Sequence, residues 1–252
     1  MFRLRSLVAL ALLAAAFAPS GARGQGGPPM ITDDPGTPGN GKWEINLPIA
    51  FEHRPNEWSL DAPGLDLNYG LGDRIQLTLQ TAAGLLKQSD HGLVGGLGGV
   101  EAAVKWRFLD EEQSGFAVSC FPRLLFNALH SPVRRGLAED GTRFQLPVQF
   151  AKTLGAFGIG AEFGPLISSV SRSEWLYGII GGVHVSKTTE FMAELHGNAR
   201  TNFTADTLIA NVGVRHELNE HCIWIASLGH EVRTPGDSPF ALIGYCGVQL
   251  LF

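Results

Sequence analysis

Phe240-Ala241-Leu242-Ile243-Gly244-Tyr245-Cys246-Gly247-Val248-Gln249-Leu250-Leu251-Phe252 ends the chain. Phe240, Leu242, Cys246, Val248, Leu250 and Phe252 fall on one face at period two and make it apolar. A strand with one apolar face and an aromatic last residue has the pattern of the strand that closes a transmembrane β-barrel. Closure pairs the last strand with the first, so the C-terminus must lie inside the sheet. Soluble strands can also end in Phe, so this stretch decides the fold only together with the other end of the chain.

That other end reads as an export signal. Arg3 and Arg5 supply a positive start, Leu7 to Ala18 is an uncharged apolar run, and Ala22-Arg23-Gly24 offers small residues at the cut. Residues 1–24 are therefore expected to be removed, leaving a mature chain that starts near Gln25. The apolar run is too short for an anchor, since a spanning helix needs roughly 20 apolar residues. The first cysteine, Cys120, is far from the cut, which argues against a lipid-anchored protein. Later apolar stretches are broken every few residues by Gly, Gln, Arg or Glu. An exported chain of this kind is either soluble outside the cytoplasm or a barrel in a Gram-negative outer membrane.

Composition favours the barrel. Cleavage leaves about 228 residues, a size that suits one all-β domain. Gly is abundant at 32 residues and charged residues make up only 17 %, as expected for many turns and a largely apolar surface. A net charge of −5 gives no reason to expect a nucleic-acid partner. Cys120, Cys222 and Cys246 are odd in number and far apart, unlike a disulfide framework. Each falls on an apolar strand face, where a thiol acts as a small hydrophobe.

The same alternation fills the middle of the chain. Trp43, Ile45, Leu47, Ile49 and Phe51 share one face; Glu44, Asn46, Pro48, Ala50 and Glu52 share the other. In water such an apolar face needs a covering layer; in a membrane, lipid covers it and the polar face lines the lumen. Similar segments recur through residues 65–80, 100–108, 116–123, 144–150, 157–163, 175–185, 191–196 and 208–215. Cys222 to Gly229 is apolar on both faces and is the least regular segment. The count is about twelve strands in an antiparallel up-and-down barrel over residues 42–252, an even number as bacterial barrels require. Leu77 is expected at mid-strand on the lipid face, with Gln76 facing the lumen.

The connections alternate in length. Gly70 to Asp73, Asp110 to Ser114, Leu154 to Ala156, Ser186 to Thr188 and Leu218 to His221 are short turns. Gly84 to Gly98, Asn127 to Gly141, Ser168 to Ser173, Gly197 to Ala205 and Glu231 to Ser238 are longer. Barrels place short turns on the periplasmic side, so both termini are expected there. Residues 25–41 then form a periplasmic N-terminal segment, either a plug or a turn. Gly95-Gly96-Leu97-Gly98-Gly99 is read as a flexible external loop, because it lacks the Lys-Ser/Thr of a phosphate loop. Asp33-Asp34-Pro35-Gly36 is read as a turn rather than a cation site.

Little in the chain points to chemistry. The eight His show no His-x-x-x-His spacing, so no metal site and no cofactor are assigned. An outer-membrane lipid hydrolase would need Ser, His and an orienting acid at the lipid boundary. His196 lies near Glu190 and Glu194, but Gly-x-Ser-x-Gly is absent. A polar network in the lumen accounts better for these residues, and the chain is read as a non-enzyme.

Pro28-Pro29-Met30-Ile31-Thr32-Asp33-Asp34-Pro35-Gly36 and Gly41-Lys42-Trp43-Glu44-Ile45-Asn46 resemble the opening of the MetA-pathway of phenol degradation family of bacterial outer-membrane proteins. Asp66-Leu67-Asn68-Tyr69-Gly70-Leu71-Gly72-Asp73-Arg74-Ile75-Gln76-Leu77, Val104-Lys105-Trp106-Arg107-Phe108 and Ala193-Glu194-Leu195-His196-Gly197 are similar to further blocks of that family. The resemblance implies an outer-membrane barrel of transporter-like character for hydrophobic compounds. The phenol label specifies no substrate.

About eight strands can be filled by side chains and about sixteen leave an open channel, so twelve imply a small pore or a constricted cavity. Arg74, Glu101, Lys105, Arg107, Arg123, Glu162, Glu190, Glu194, His196 and Arg215 are expected to line it. Arg74, Glu101, Lys105, Arg107 and Arg123 come from adjacent strands and should dominate the field near one wall. The function expected is passive passage of small solutes, hydrophobic or aromatic ones included. A closed structural or interaction barrel is the alternative, and a lipid hydrolase ranks third. The partners expected are outer-membrane lipid, an unidentified small solute, and the barrel-assembly machinery acting on the C-terminal strand.

Overall fold

The computed structural model describes residues 26–204, 206–235 and 241–252. The export-signal reading of residues 1–24, and Phe240 of the closing strand, lie outside them. Period-two alternation becomes twelve antiparallel strands. They are β1 (Trp43–Arg54), β2 (Glu57–Leu71), β3 (Ile75–Gln88), β4 (His91–Leu109), β5 (Ala117–Cys120 and Arg123–Phe126) and β6 (Arg143–Gln145 and Val148–Leu154). The rest are β7 (Phe157–Ser168), β8 (Glu174–His184), β9 (Thr189–Arg200), β10 (Asp206–Asn219), β11 (Cys222–Arg233) and β12 (Leu242–Leu251). Each pairs with its chain neighbours, and β1 pairs with β12 from Glu44↔Leu251 to His53↔Leu242, so the sheet closes. Phe252 exchanges two backbone hydrogen bonds with Trp43, at 2.9 and 3.0 Å. Pro122 and Pro147 have no N–H to give the ladder, and the interruptions of β5 and β6 fall at these two residues.

Apolar side chains point outward along the whole wall. Leu79, Ile179 and Val212 are 50 %, 59 % and 60 % exposed, far beyond what a monomeric soluble surface gathers into one belt. Aromatic pairs band both rims: Trp43–Tyr69 and Trp106–Phe108 near the short turns, Phe51–Trp58 and Phe163–Trp175 near the longer loops. Such girdles mark the two interfaces of a bilayer. Inward-facing Asn46, Asp66, Gln76, Thr78, Lys105, Ser119, Gln149 and Glu162 are buried.

Two expectations need correction, and the least regular segment proves to be a strand as counted. Residues 84–98 are not a long loop: β3 and β4 continue to Gln88 and His91, with Gly84↔Gly96 and Leu85↔Gly95 in register. The Gly-rich stretch is therefore strand, and backbone pairing there does not depend on side chains. Leu77 is not at mid-strand: it is the third residue of β3, opposite Tyr69 in the rim girdle. Cys222 to Gly229 is a regular strand, with Ile223 and Ile225 buried inside the barrel and Trp224 and Leu228 exposed outside.

Among the described residues, two short helices interrupt the connections. α1 (Glu111–Ser114) sits in the turn after β4, where Glu111 accepts from Thr153 N–H at 2.5 Å. α2 (Ser131–Arg134) sits in the connection between β5 and β6. That connection leans on the β3–β4 wall, where Arg135 donates to the Gly95 carbonyl at 2.7 Å.

Candidate functional site: an occupied bore

Residues 26–36 enter the barrel from the short-turn end. Thr37 stands at the rim, where its hydroxyl donates to the Asp73 carbonyl at 2.8 Å, and the backbone reaches β1 through the hydrogen bond from Gly41 N–H to Gly70 O at 2.9 Å. Inside, Met30 is buried against Ile180 and Met192, and Thr32 and Pro35 are fully buried. Met30 is what the inward Ile180 and Met192 of the wall meet. The fit is close: an added Cβ at Gly178 would overlap Thr32, and one at Gly213 would stand 2.5 Å from Met30 Sδ. Larger residues at those two wall positions would push the segment out.

Polar groups of the wall hold its backbone. Glu194 accepts the N–H of Ile31 at 2.9 Å and of Thr32 at 2.7 Å, and its Oε1 also takes Asn211 at 2.8 Å. Arg215 donates to the carbonyls of Gly26, Gly27 and Pro28, at 2.9 Å from Nε to Pro28. Ser227 donates to the Pro29 carbonyl at 2.8 Å. Two backbone hydrogen bonds are internal to the segment, Met30 N–H to Gly27 O at 3.0 Å and Gly27 N–H to Thr32 O at 2.9 Å; the groups they leave unmatched are supplied by the wall.

Side chains complete the hold. Asp33 lies between Lys105 Nζ and Arg123 Nη2, each 3.0 Å from one of its oxygens. Both cations lie over the Phe121 ring, at 4.7 and 4.3 Å from its centroid. Lys105 also donates to the Asp34 carbonyl at 2.7 Å. Arg123 comes within 3.9 Å of Glu162, whose other oxygen is 3.4 Å from His196 Nδ1. Glu190 is 3.7 Å from Arg215.

Of the residues expected to line the bore, Lys105, Arg123, Glu194 and Arg215 thus hold the N-terminal segment directly. Glu162, His196 and Glu190 stand behind them, and Glu101 lines the cavity beside Arg123. Arg74 does not belong with this group. It is a half-exposed rim residue, paired with Asp110 at 2.5 Å, and Arg107 shares that partner at 2.7 Å. Asp33 and Asp34 are not a free surface turn; the first is a ligand of the wall's cations. The Cys222–Gly229 stretch reaches the segment through Ser227, whose hydroxyl donates to the Pro29 carbonyl.

A cavity of about 820 Å³ remains around the segment, reaching from Phe252 and His221 at the rim to Glu101 and Phe121. Its wall mixes polar and apolar surface, with Asn68, Gln76, Thr78 and Gln80 on one side.

No family profile matches the chain, and no curated protein does. Solved structures match its architecture. The COG4313 outer membrane channel from Pseudomonas putida F1 superposes with a TM-score of 0.64 at 15 % identity, over 90 % of this chain and 100 % of that one. The fold is that of an outer-membrane β-barrel. The KdgM porin in complex with disordered oligogalacturonate gives 0.58 at 11 % identity, over 83 % and 99 %. The CymD monoaromatic hydrocarbon channel gives 0.51 at 9 %, over 85 % and 89 %.

The hold on the segment is testable. Glu194→Ala leaves two buried N–H groups without an acceptor, at a cost of about 1–3 kcal/mol. A cysteine replacing Thr32 should be inert to thiol reagents in the otherwise native barrel and reactive when Glu194→Ala is added. Equal labelling in both would mean that Glu194 does not hold the segment.

Proposed function

We propose that this chain is an outer-membrane channel for small solutes, closed at rest by its own N-terminal segment. The observation that carries this reading is the way the segment is bound. It is held in the bore largely through hydrogen bonds and ion pairs that water or a solute can replace, and it contributes no strand to the sheet. The channels and porins of like fold support the reading. Hydrophobic or aromatic solutes would find partners in the inward Ile180, Met192 and Phe121. A closed structural barrel is the competing reading. A lipid hydrolase is disfavoured because His196 sits inside the bore against Glu162, away from the lipid boundary.

The reading includes an orientation, with the short turns and both termini in the periplasm. A cysteine at Asp90, in the turn after β3, should react with a membrane-impermeant reagent on intact cells. One at the well-exposed Glu220 should not. The reverse pattern would invert the barrel.

Selectivity follows from the wall. Glu44, Asp66, Glu101, Glu162, Glu190 and Glu194 outnumber Lys105, Arg123 and Arg215, so an opened bore should favour cations. Lys105→Gln with Arg123→Gln should strengthen that preference in reversal-potential measurements. Adding Arg107→Gln should change it little, because Arg107 is held at the rim by Asp110. A large further shift from Arg107 would refute that placement.

A further inference from the structure

Resting on the channel reading, we propose that Lys105, Arg123 and Phe121 form a recognition site for a carboxylate-bearing solute, which Asp33 occupies in the closed barrel. A part-buried carboxylate held by two cations at 3.0 Å each, with both cations over one aromatic ring, is a complete anion site. Its parts belong to the wall: Lys105 to β4, Arg123 to β5, Phe121 to the break between the two segments of β5. Lys105 and Phe121 are almost fully buried. Only the carboxylate is borne by a segment outside the sheet.

If the cations served only to balance the wall's own acids, they would pair with those. Glu162 is instead 3.9 Å from Arg123, while Asp33 takes the close contact. The site also opens onto the cavity, since Asp33, Lys105, Phe121 and Arg123 all line it. A small organic acid entering from the rim therefore meets the site without crossing the sheet. Its carboxylate would replace that of Asp33 between the same two cations. Met30, held by Ile180 and Met192 three residues before Asp33, would leave with the segment and uncover an apolar wall for the rest of the solute. The solute class is thus a carboxylate on a compact apolar body, and its binding competes with closure. The apparent affinity in the native barrel is lowered by the fraction of time the site stands empty.

The probe is benzoate, with benzamide as its uncharged counterpart. Titration calorimetry on refolded barrel in detergent should show benzoate binding to Asp33→Ala more tightly than to the native protein, and benzamide binding to neither. Arg123→Gln added to Asp33→Ala should abolish benzoate binding, with heat-modifiable migration on gels confirming that the barrel is folded. In planar bilayers, benzoate should raise the open time of the native channel and benzamide should not. Equal responses to benzoate and benzamide, or benzoate binding that survives Arg123→Gln, would overturn the carboxylate site. Asp33→Asn distinguishes the two readings. If it conducts without solute while Asp33→Ala binds no benzoate, the carboxylate inference fails and the channel stands. If it folds and never conducts, with or without benzoate, the channel reading fails.

Discussion

A mature chain lacking residues 26–36 should conduct steadily in planar bilayers, where the native barrel shows brief openings or none. The deletion removes Met30, Thr32, Asp33 and Pro35 from the bore and joins the existing cavity of about 820 Å³ to the space they filled. It leaves every strand pairing intact, since the segment contributes no strand to the sheet. Glu194, Arg215, Lys105 and Arg123 lose their contacts with the segment, but into a flooded bore, and Asn211, Glu190 and Glu162 remain beside Glu194, Arg215 and Arg123. There water replaces the lost hydrogen bonds, so the cost of stranding a buried charge does not arise. Folding should therefore survive, as heat-modifiable migration on gels would show. A folded deletion variant with no current would end the idea that this segment is the gate, and the connection between β5 and β6 at the opposite mouth would become the candidate barrier.

Ile179→Arg should destabilise the barrel by about 2–4 kcal/mol, the cost of a cation facing lipid at the bilayer midplane. Ile179 is central in β8 (Glu174–His184) and 59 % exposed on the outer wall. Gln80→Arg should cost less than about 1 kcal/mol, because Gln80 faces the water-accessible cavity. Reversible urea unfolding from lipid vesicles measures both. Similar costs would mean that the inward and outward faces are misassigned. Neighbouring positions make poorer probes. Leu77 lies in the rim girdle, where charge is cheaper, and Gln76 is buried and donates to Asn68 at 2.7 Å and Thr78 at 3.0 Å, so its replacement would break a network.

The strand pattern was legible because lipid imposes a local rule. A residue facing acyl chains must be apolar and its neighbours face the other way, so Trp43 to Glu52 and Phe240 to Phe252 can be read one residue at a time. Strand number followed from the repeats, and loop parity indicated which end holds the termini. Errors came where that rule is silent. Gly95 to Gly99 looked like a loop because glycine shows no alternation, yet its backbone pairs with β3. Arg74 was counted with the bore residues by alternation alone, although its side chain turns to Asp110 at the rim. Cys222 to Gly229 shows no alternation because Ile223 and Ile225 are apolar and buried on the inner face while Trp224 and Leu228 are apolar on the outer one.

What the sequence by itself determined is the wall: twelve strands, their facing, and the inward positions of Lys105, Arg123, Glu194 and Arg215. What only the tertiary structure decided is what those side chains hold. Asp33 lies 72 residues from Lys105 and 90 from Arg123 in the chain, and Ile31 lies 163 from Glu194. No local period links such positions. They meet because closure of β1 on β12 puts the N-terminal segment at the mouth of the bore, and because a segment with only two internal backbone hydrogen bonds takes the rest from the wall around it.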